Sequence, residues 1–208
     1  RYFSLPDVSY KPITEPYRFK LEGKLSNHPV LGAFVPELTR LDTVRFTMQL
    51  DSQRDTALLA RIIAPLVEYD SIVVNNADFG VLGAEGQAAY VGHVDKILYD
   101  TYQIKRAYLD GKVANSVVDF NLALKDSVAQ QKHGLTGALM AVSDNYRLQL
   151  RKKGLLLDYK TWEADSAGYV QFGKQGLLVN QFSLQQNRQR LFVNSLTNMP
   201  NGDRKSVV

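Results

Sequence analysis

AEGQAAYVGHVDKILYDTYQIKRAYLD, residues 84–110, carries the pattern that decides the fold class. Within it Val91, Val94, Leu98, Thr101, Lys105 and Tyr108 step by three and four, the spacing of one helical face, and Gly111 stands where such a helix would end. Two similar stripes follow. Val117, Phe120, Leu124 and Val128 run into Lys132, His133 and Gly134; Leu135, Leu139, Val142, Tyr146 and Leu150 run into Arg151, Lys152, Lys153 and Gly154. Basic residues followed by glycine suit helix C-termini, through the helix dipole and the left-handed cap. Upstream, Ser52-Gln53-Arg54-Asp55 has the form of a capping box. Leu58, Leu59, Ile62, Ile63, Leu66 and Val67 would then share one face of a helix kinked at Pro65. The spacing predicts helices over about 52–69, 84–110, 113–132 and 134–153, packed antiparallel because their connections are short.

The ends read differently. Tyr17, Phe19 and Leu21 alternate with Arg18, Lys20 and Glu22, and Val44, Phe46 and Met48 with Arg45, Thr47 and Gln49, the period of a half-buried strand. These two segments are expected to pair across the loop between them. Ile72-Val73-Val74 is a short β-prone piece ending in a turn at Asn75-Asn76. Tyr169 to Phe182 returns to strand, with a hairpin connection at Lys174-Gln175-Gly176. The expected fold class is therefore α+β: central antiparallel helices flanked by N- and C-terminal strands. It is expected as one domain over 1–208, with an extended N-terminal arm (1–16) and a loose C-terminal tail (196–208).

Composition bounds the chemistry. At 45 % hydrophobic and 22 % charged the 208-residue chain is an ordinary globular one. No apolar run approaches the ~20 residues of a membrane-spanning helix. The first residue is Arg1, so any targeting segment or anchor is expected to lie upstream of it. Zero cysteines exclude disulfides, thiolate zinc sites and iron–sulfur clusters within this stretch. An oxidising, extracytoplasmic (periplasmic) setting is preferred to a mitochondrial one.

Catalytic patterns are missing. His28, His93 and His133 are far apart, and His93 with Asp95 and Tyr90 is the one constellation worth naming; on a helix Asp95 would face away from His93. Gly80 to Gly86 lacks the Lys-Ser/Thr of a phosphate loop. The carboxylate pairs Asp95/Asp100, Asp119/Asp126 and Glu163/Asp165 read as solvated charges. No catalytic, cofactor-binding or metal-ligating residue is assigned, and no cofactor is expected. The terminal Ser206-Val207-Val208 has the form read by carboxylate-capturing domains.

Partner binding is the stronger expectation. Tyr99, Tyr102, Lys105, Arg106, Tyr146, Arg147, Arg151 and Lys152 mix aromatic and basic side chains, as protein interfaces and nucleic-acid surfaces both do. Arms too polar to form a core become ordered by wrapping a neighbour. The reading is a non-enzymatic structural or assembly subunit of a larger multiprotein complex, such as a bacterial envelope or secretion assembly, bound to other subunits or to copies of itself. The alternative is a nucleic-acid-binding or coat-like protein using a basic, tyrosine-bearing helical face.

Overall fold

The computed structural model describes residues 15–84, 86–174, 176–195 and 205–207. The expected arm (1–16) and tail (196–208) lie largely outside them. The architecture overturns the α+β expectation: 74 % of the described residues are strand and 3 % helical. The strands are β1 (Arg18–Leu25), β2 (Leu38–Leu41), β3 (Val44–Asp51), β4 (Leu58–Tyr69), β5 (Ile72–Ala84), β6 (Gln87–Tyr99), β7 (Tyr102–Ala114) and β8 (Val117–Lys125). They continue as β9 (Gln131–Val142), β10 (Asn145–Leu157), β11 (Lys160–Ala164), β12 (Tyr169–Gly173), β13 (Gly176–Asn180), β14 (Phe182–Gln186), β15 (Gln189–Ser195) and β16 (Lys205–Val207). One short helix, α1 (Pro29–Phe34), follows β1.

Each predicted helix is a strand or a hairpin. The span 52–69 holds β4, 84–110 holds β6 and most of β7, 113–132 holds β8 and the start of β9, and 134–153 holds the rest of β9 and most of β10. The turn chemistry explains why. Tyr69 pairs directly with Ile72, Tyr99 with Tyr102, Ala114 with Val117, Val142 with Asn145 and Leu157 with Lys160, so each connection has only two residues. Asp70, Asp100, Asn115, Ser116, Ser143, Asp158 and Tyr159 all take positive φ there. Left-handed residues in two-residue loops match the twist of antiparallel strands. Ser52-Gln53-Arg54-Asp55 is likewise a turn and not a helix cap: the Asp51 carboxylate accepts the Gln53 N–H, and Tyr17 N–H donates to Ser52 Oγ at 2.9 Å.

Strands β1, β3, β4, β5, β6, β7, β8, β9 and β10 lie side by side in that order, all antiparallel. The pairing of the first two is direct, Arg18 opposite Asp51 through Leu25 opposite Val44. Register places residues opposite one another on the same side of the sheet. One row runs Gly23, Phe46, Ile62, Phe79, Gly92, Leu109, Leu122, Leu135, Leu155, Trp162. The next runs Leu21, Met48, Ala60, Val81, Tyr90, Gly111, Phe120, Gly137, Leu150. This is a single apolar face. The other face carries Lys20, Glu22, Arg45, Arg61, Asp78, His93, Asp110, Lys112, Asp119 and Asn121.

Among the described residues the apolar face is closed only at its C-terminal end. There Leu150, Ala164 and Leu184 are buried against Leu135, Leu155, Trp162 and Phe182. Towards β1 it opens: Leu150 is 6 % exposed, Phe79 39 %, Ile62 50 % and Phe19 47 %. Substantial contacts join strands adjacent in the sheet, with α1 touching β2 and β13 touching β15, and no second layer covers β1 to β8 among the described residues. No large side chain among them is less than 2 % exposed.

A transverse crease crosses the sheet. Between β7 and β8 the register slips by one: Ala107 is opposite Leu124, yet Lys105 is opposite Lys125. Arg106 is therefore an extra residue, held at φ 51°. From β4 to β7 the register stays continuous through this point, but Pro65, Asn76 (φ 51°), Asp95 and Arg106 all drop out of the pairing together. Each of the four strands thus carries an extra residue at the same level, a row of aligned bulges. Beyond it the apolar side continues one residue out of phase: Val67 and Tyr69, Ile72 and Val74, Ile97 and Tyr99, Tyr102 and Ile104.

Candidate functional site

The apolar face is built from an unusual device. Phe46 lies opposite Gly23, Phe79 opposite Gly92, Tyr90 opposite Gly111, and Phe120 opposite Gly137. In every pair the aromatic ring occupies the space that a side chain on the glycine would need. Glycine otherwise weakens a strand, and a neighbouring ring laid over it restores the lost contact. The rings therefore lie along the sheet and do not stand up from it, which makes a smooth apolar floor. Tyr90 extends far enough to donate its hydroxyl to the Asp119 carbonyl at 3.0 Å, and burial raises its pKa above the usual tyrosine value, with Asp110 and Asp119 adding to the shift. Around Gly92 a hollow of about 200 Å³ is lined by Ile62, Ala64, Ala77, Val94, Leu109 and Leu122.

The polar face is organised by ion pairs. Arg61 Nε donates to Asp78 at 2.9 Å, and this bond holds the Asp78 carboxyl below its usual pKa. Arg151 pairs with Asp119. At the β3 end Asp51 is buried; the Gln53 N–H, with Arg18 and Arg54 beside it, lowers its pKa against the opposing effect of burial. Asp126 is lowered by the Tyr159 hydroxyl, which donates to it at 2.6 Å, and the same bond raises Tyr159. On this face Gly80 leaves a shallow hollow of about 350 Å³ bordered by Leu59, Leu82 and Val91.

The eight candidate partner residues do not form one site. Tyr99 and Tyr102 are direct cross-strand neighbours on the apolar side, 54 % and 73 % exposed, at the end of the β6–β7 hairpin. Lys105 faces the other way, and Arg106 is the bulge residue that follows it. Tyr146 sits on the apolar side against Phe172, ring centroids 5.8 Å apart. Arg147 is on the polar side, with its guanidinium 4.0 Å from the Tyr169 ring centroid and bonded to Gln171. Arg151 and Lys152 lie in the irregular stretch of β10 between Leu150 and Leu155.

His93 and Asp95 do meet, Nε2 to Oδ1 at 3.1 Å, because positions two apart on a strand lie on the same side; Tyr90 lies on the opposite face. Among the described residues no three metal-type side chains come together. No helix among them is long and apolar enough to cross a membrane. What sequence reasoning missed is the apolar face itself. Its signals were glycines inside strands, each opposite an aromatic residue, and two-residue Asp/Asn/Ser turns. Comparison with family models, with curated proteins and with solved structures finds no match to the chain.

Proposed function

We propose that this chain is a non-enzymatic structural module of a larger assembly, and that its working part is the apolar face. The observation that carries this reading is the open end of that face. Ile62, Phe79, Leu21 and Phe19 sit in one contiguous surface with no layer over them among the described residues. A large contiguous apolar surface marks a place where other apolar matter binds. Another subunit, or a second copy, supplies such a cover. The cysteine-free composition suits an extracytoplasmic assembly. The tyrosines Tyr99 and Tyr102 support this reading over the nucleic-acid one, because they face away from Lys105 and so cannot stack bases while that lysine meets the phosphates.

The test is particle size in the native setting. The unaltered chain is expected to migrate in a particle several times its own mass. A double variant, Ile62→Lys with Phe79→Lys, is expected to migrate alone with an unchanged circular dichroism spectrum. A folded variant that stays in the particle would overturn the reading.

A second reading has an observation of its own. The ring-covered glycines give a smooth floor with a hollow at Gly92, a shape that suits flexible acyl chains as well as a protein surface. Saturable binding of a long-chain fatty acid by the isolated chain, lost in the same double variant, would favour it.

A further inference from the structure

We propose that the polar face carries an oxyanion site for a phosphoryl group, formed by Lys96, Lys105 and Lys125 at the crease. The three lysines come from three adjacent strands. Lys96 is directly opposite Lys105, and Lys105 directly opposite Lys125. Cross-strand neighbours stand about 5 Å apart at Cα, and like charges so placed repel. The repulsion is not relieved from within. Glu68 pairs with Arg40; Asp95 is engaged by His93 and Asn76; Asp126 is engaged by Tyr159 and by the Val128 and Gln130 amides; Asp78 is engaged by Arg61. No ion pair reaches Lys96, Lys105 or Lys125 among the described residues. Elsewhere on the sheet cations do find acids, as Arg18 does with Asp51, Arg61 with Asp78 and Lys132 with Asp158.

One end of the row also rests on an aromatic ring. Lys125 Nζ sits 4.5 Å from the centroid of the Tyr108 ring, which is itself stacked on His93 at 4.8 Å. The one-residue slip at Arg106 is what turns Lys105 to the same side as Lys125. Without it the two would face opposite ways.

The chemistry of the row selects the ligand class. A carboxylate brings a single negative charge on two oxygens, which leaves most of the charge of three ammoniums unneutralised. A phosphoryl group presents three oxygens and up to two negative charges, enough to engage all three ammoniums at once. The row therefore suits a phosphate monoester or a diphosphate better than an acidic peptide.

Thermal unfolding of the full chain, at constant ionic strength with sodium chloride replaced stepwise by inorganic pyrophosphate, tests this. Pyrophosphate at millimolar concentration is expected to raise the midpoint by at least ~2 °C. Lys105→Gln is expected to raise the midpoint without the anion and to lose the response. Lys112→Gln, at a position facing Asp119, is expected to respond as the unaltered chain does. Should Lys105→Gln fail to fold, Lys96→Gln reads the same two quantities. Equal midpoints in pyrophosphate and chloride, or an undiminished response in Lys105→Gln, would overturn the proposal; an equal shift with polyglutamate would overturn the phosphoryl assignment. Flotation with phosphatidylcholine vesicles containing phosphatidic acid separates the sources. Lys105-dependent flotation supports a lipid-borne phosphoryl group. A pyrophosphate response without flotation supports a soluble one, and flotation unchanged in Lys105→Gln would count against the row.

Discussion

Gly111 shows how far a single missing side chain shapes this protein. A methyl there would collide with the Asp119 carbonyl and stand 2.6 Å from the Tyr90 hydroxyl. The backbone of β8 cannot retreat without breaking its ladder, so Gly111→Ala should destabilise the chain by about 1–3 kcal/mol in a denaturant titration. Gly80, also mid-strand, has nothing nearer than 3.8 Å to a new Cβ, so Gly80→Ala should stay within about 0.5 kcal/mol. Equal losses at both would show that the ring over Gly111 is not what matters. Asp51 supplies the pH dependence. Its folded pKa is lowered, so its contribution is fully present above the unfolded value of about 3.9 and is lost as pH falls through the folded value. Asp51→Asn should therefore be less stable than the unaltered chain at neutral pH, and the gap should close below about pH 4. A gap that is constant with pH would contradict the assignment.

The bulge is the element that misled the reading of the sequence. A strand alternates with period two, but one extra residue turns a step of two into a step of three. Ala64 to Val67, Val94 to Ile97 and Ile104 to Ala107 are such steps, and together with the polar-face residues Val91 and Leu98 they imitate a helical stripe. Leu58, Leu59, Ile62, Ile63, Leu66 and Val67 do not share a face: Leu58, Ile62 and Val67 go to the apolar side, and Leu59, Ile63 and Leu66 to the other. β1 and β3 were legible because they carry no bulge and alternate without interruption. The β12–β13 hairpin was legible from the glycine at its connection, whereas the turns at Asp70-Ser71, Asp100-Thr101 and Asn115-Ser116 were not, because such pairs are less marked than Asn-Gly. The partner residues could be named but not placed, since the side faced by Tyr99, Tyr102 and Lys105 depends on the slip at Arg106, and Arg151 and Lys152 fall in the irregular stretch of β10. That slip is testable. Arg106→Gly relieves a left-handed residue that carries a side chain and should stabilise by up to ~1 kcal/mol. Deleting Arg106 should instead turn Tyr102 and Ile104 to the polar side, and cysteines placed at Tyr102 in the deleted and full-length chains should differ in labelling rate. Identical labelling would mean that Arg106 does not set the phase.

At the scale of the molecule the protein is a sheet with one finished end and one open end. Burial at Leu150, Ala164 and Leu184 closes the finished end, and the face beyond it is uncovered among the described residues. An isolated preparation should therefore bind an apolar dye such as anilinonaphthalene sulfonate while retaining its native near-ultraviolet circular dichroism, and Ile62→Lys with Phe79→Lys should weaken that binding several-fold. No dye binding by the native chain would mean that the face is covered by something this chain itself provides. The crease has a consequence for how such a sheet can change over generations. Pro65, Asn76, Asp95 and Arg106 stand at one level in four neighbouring strands, so losing or gaining a residue in any one of them would break the register it shares with the next strand of that row. Length changes in this part of the gene should be inherited as matched sets, several codons in several strands at once, whereas the hairpin tips beside them are free to vary singly.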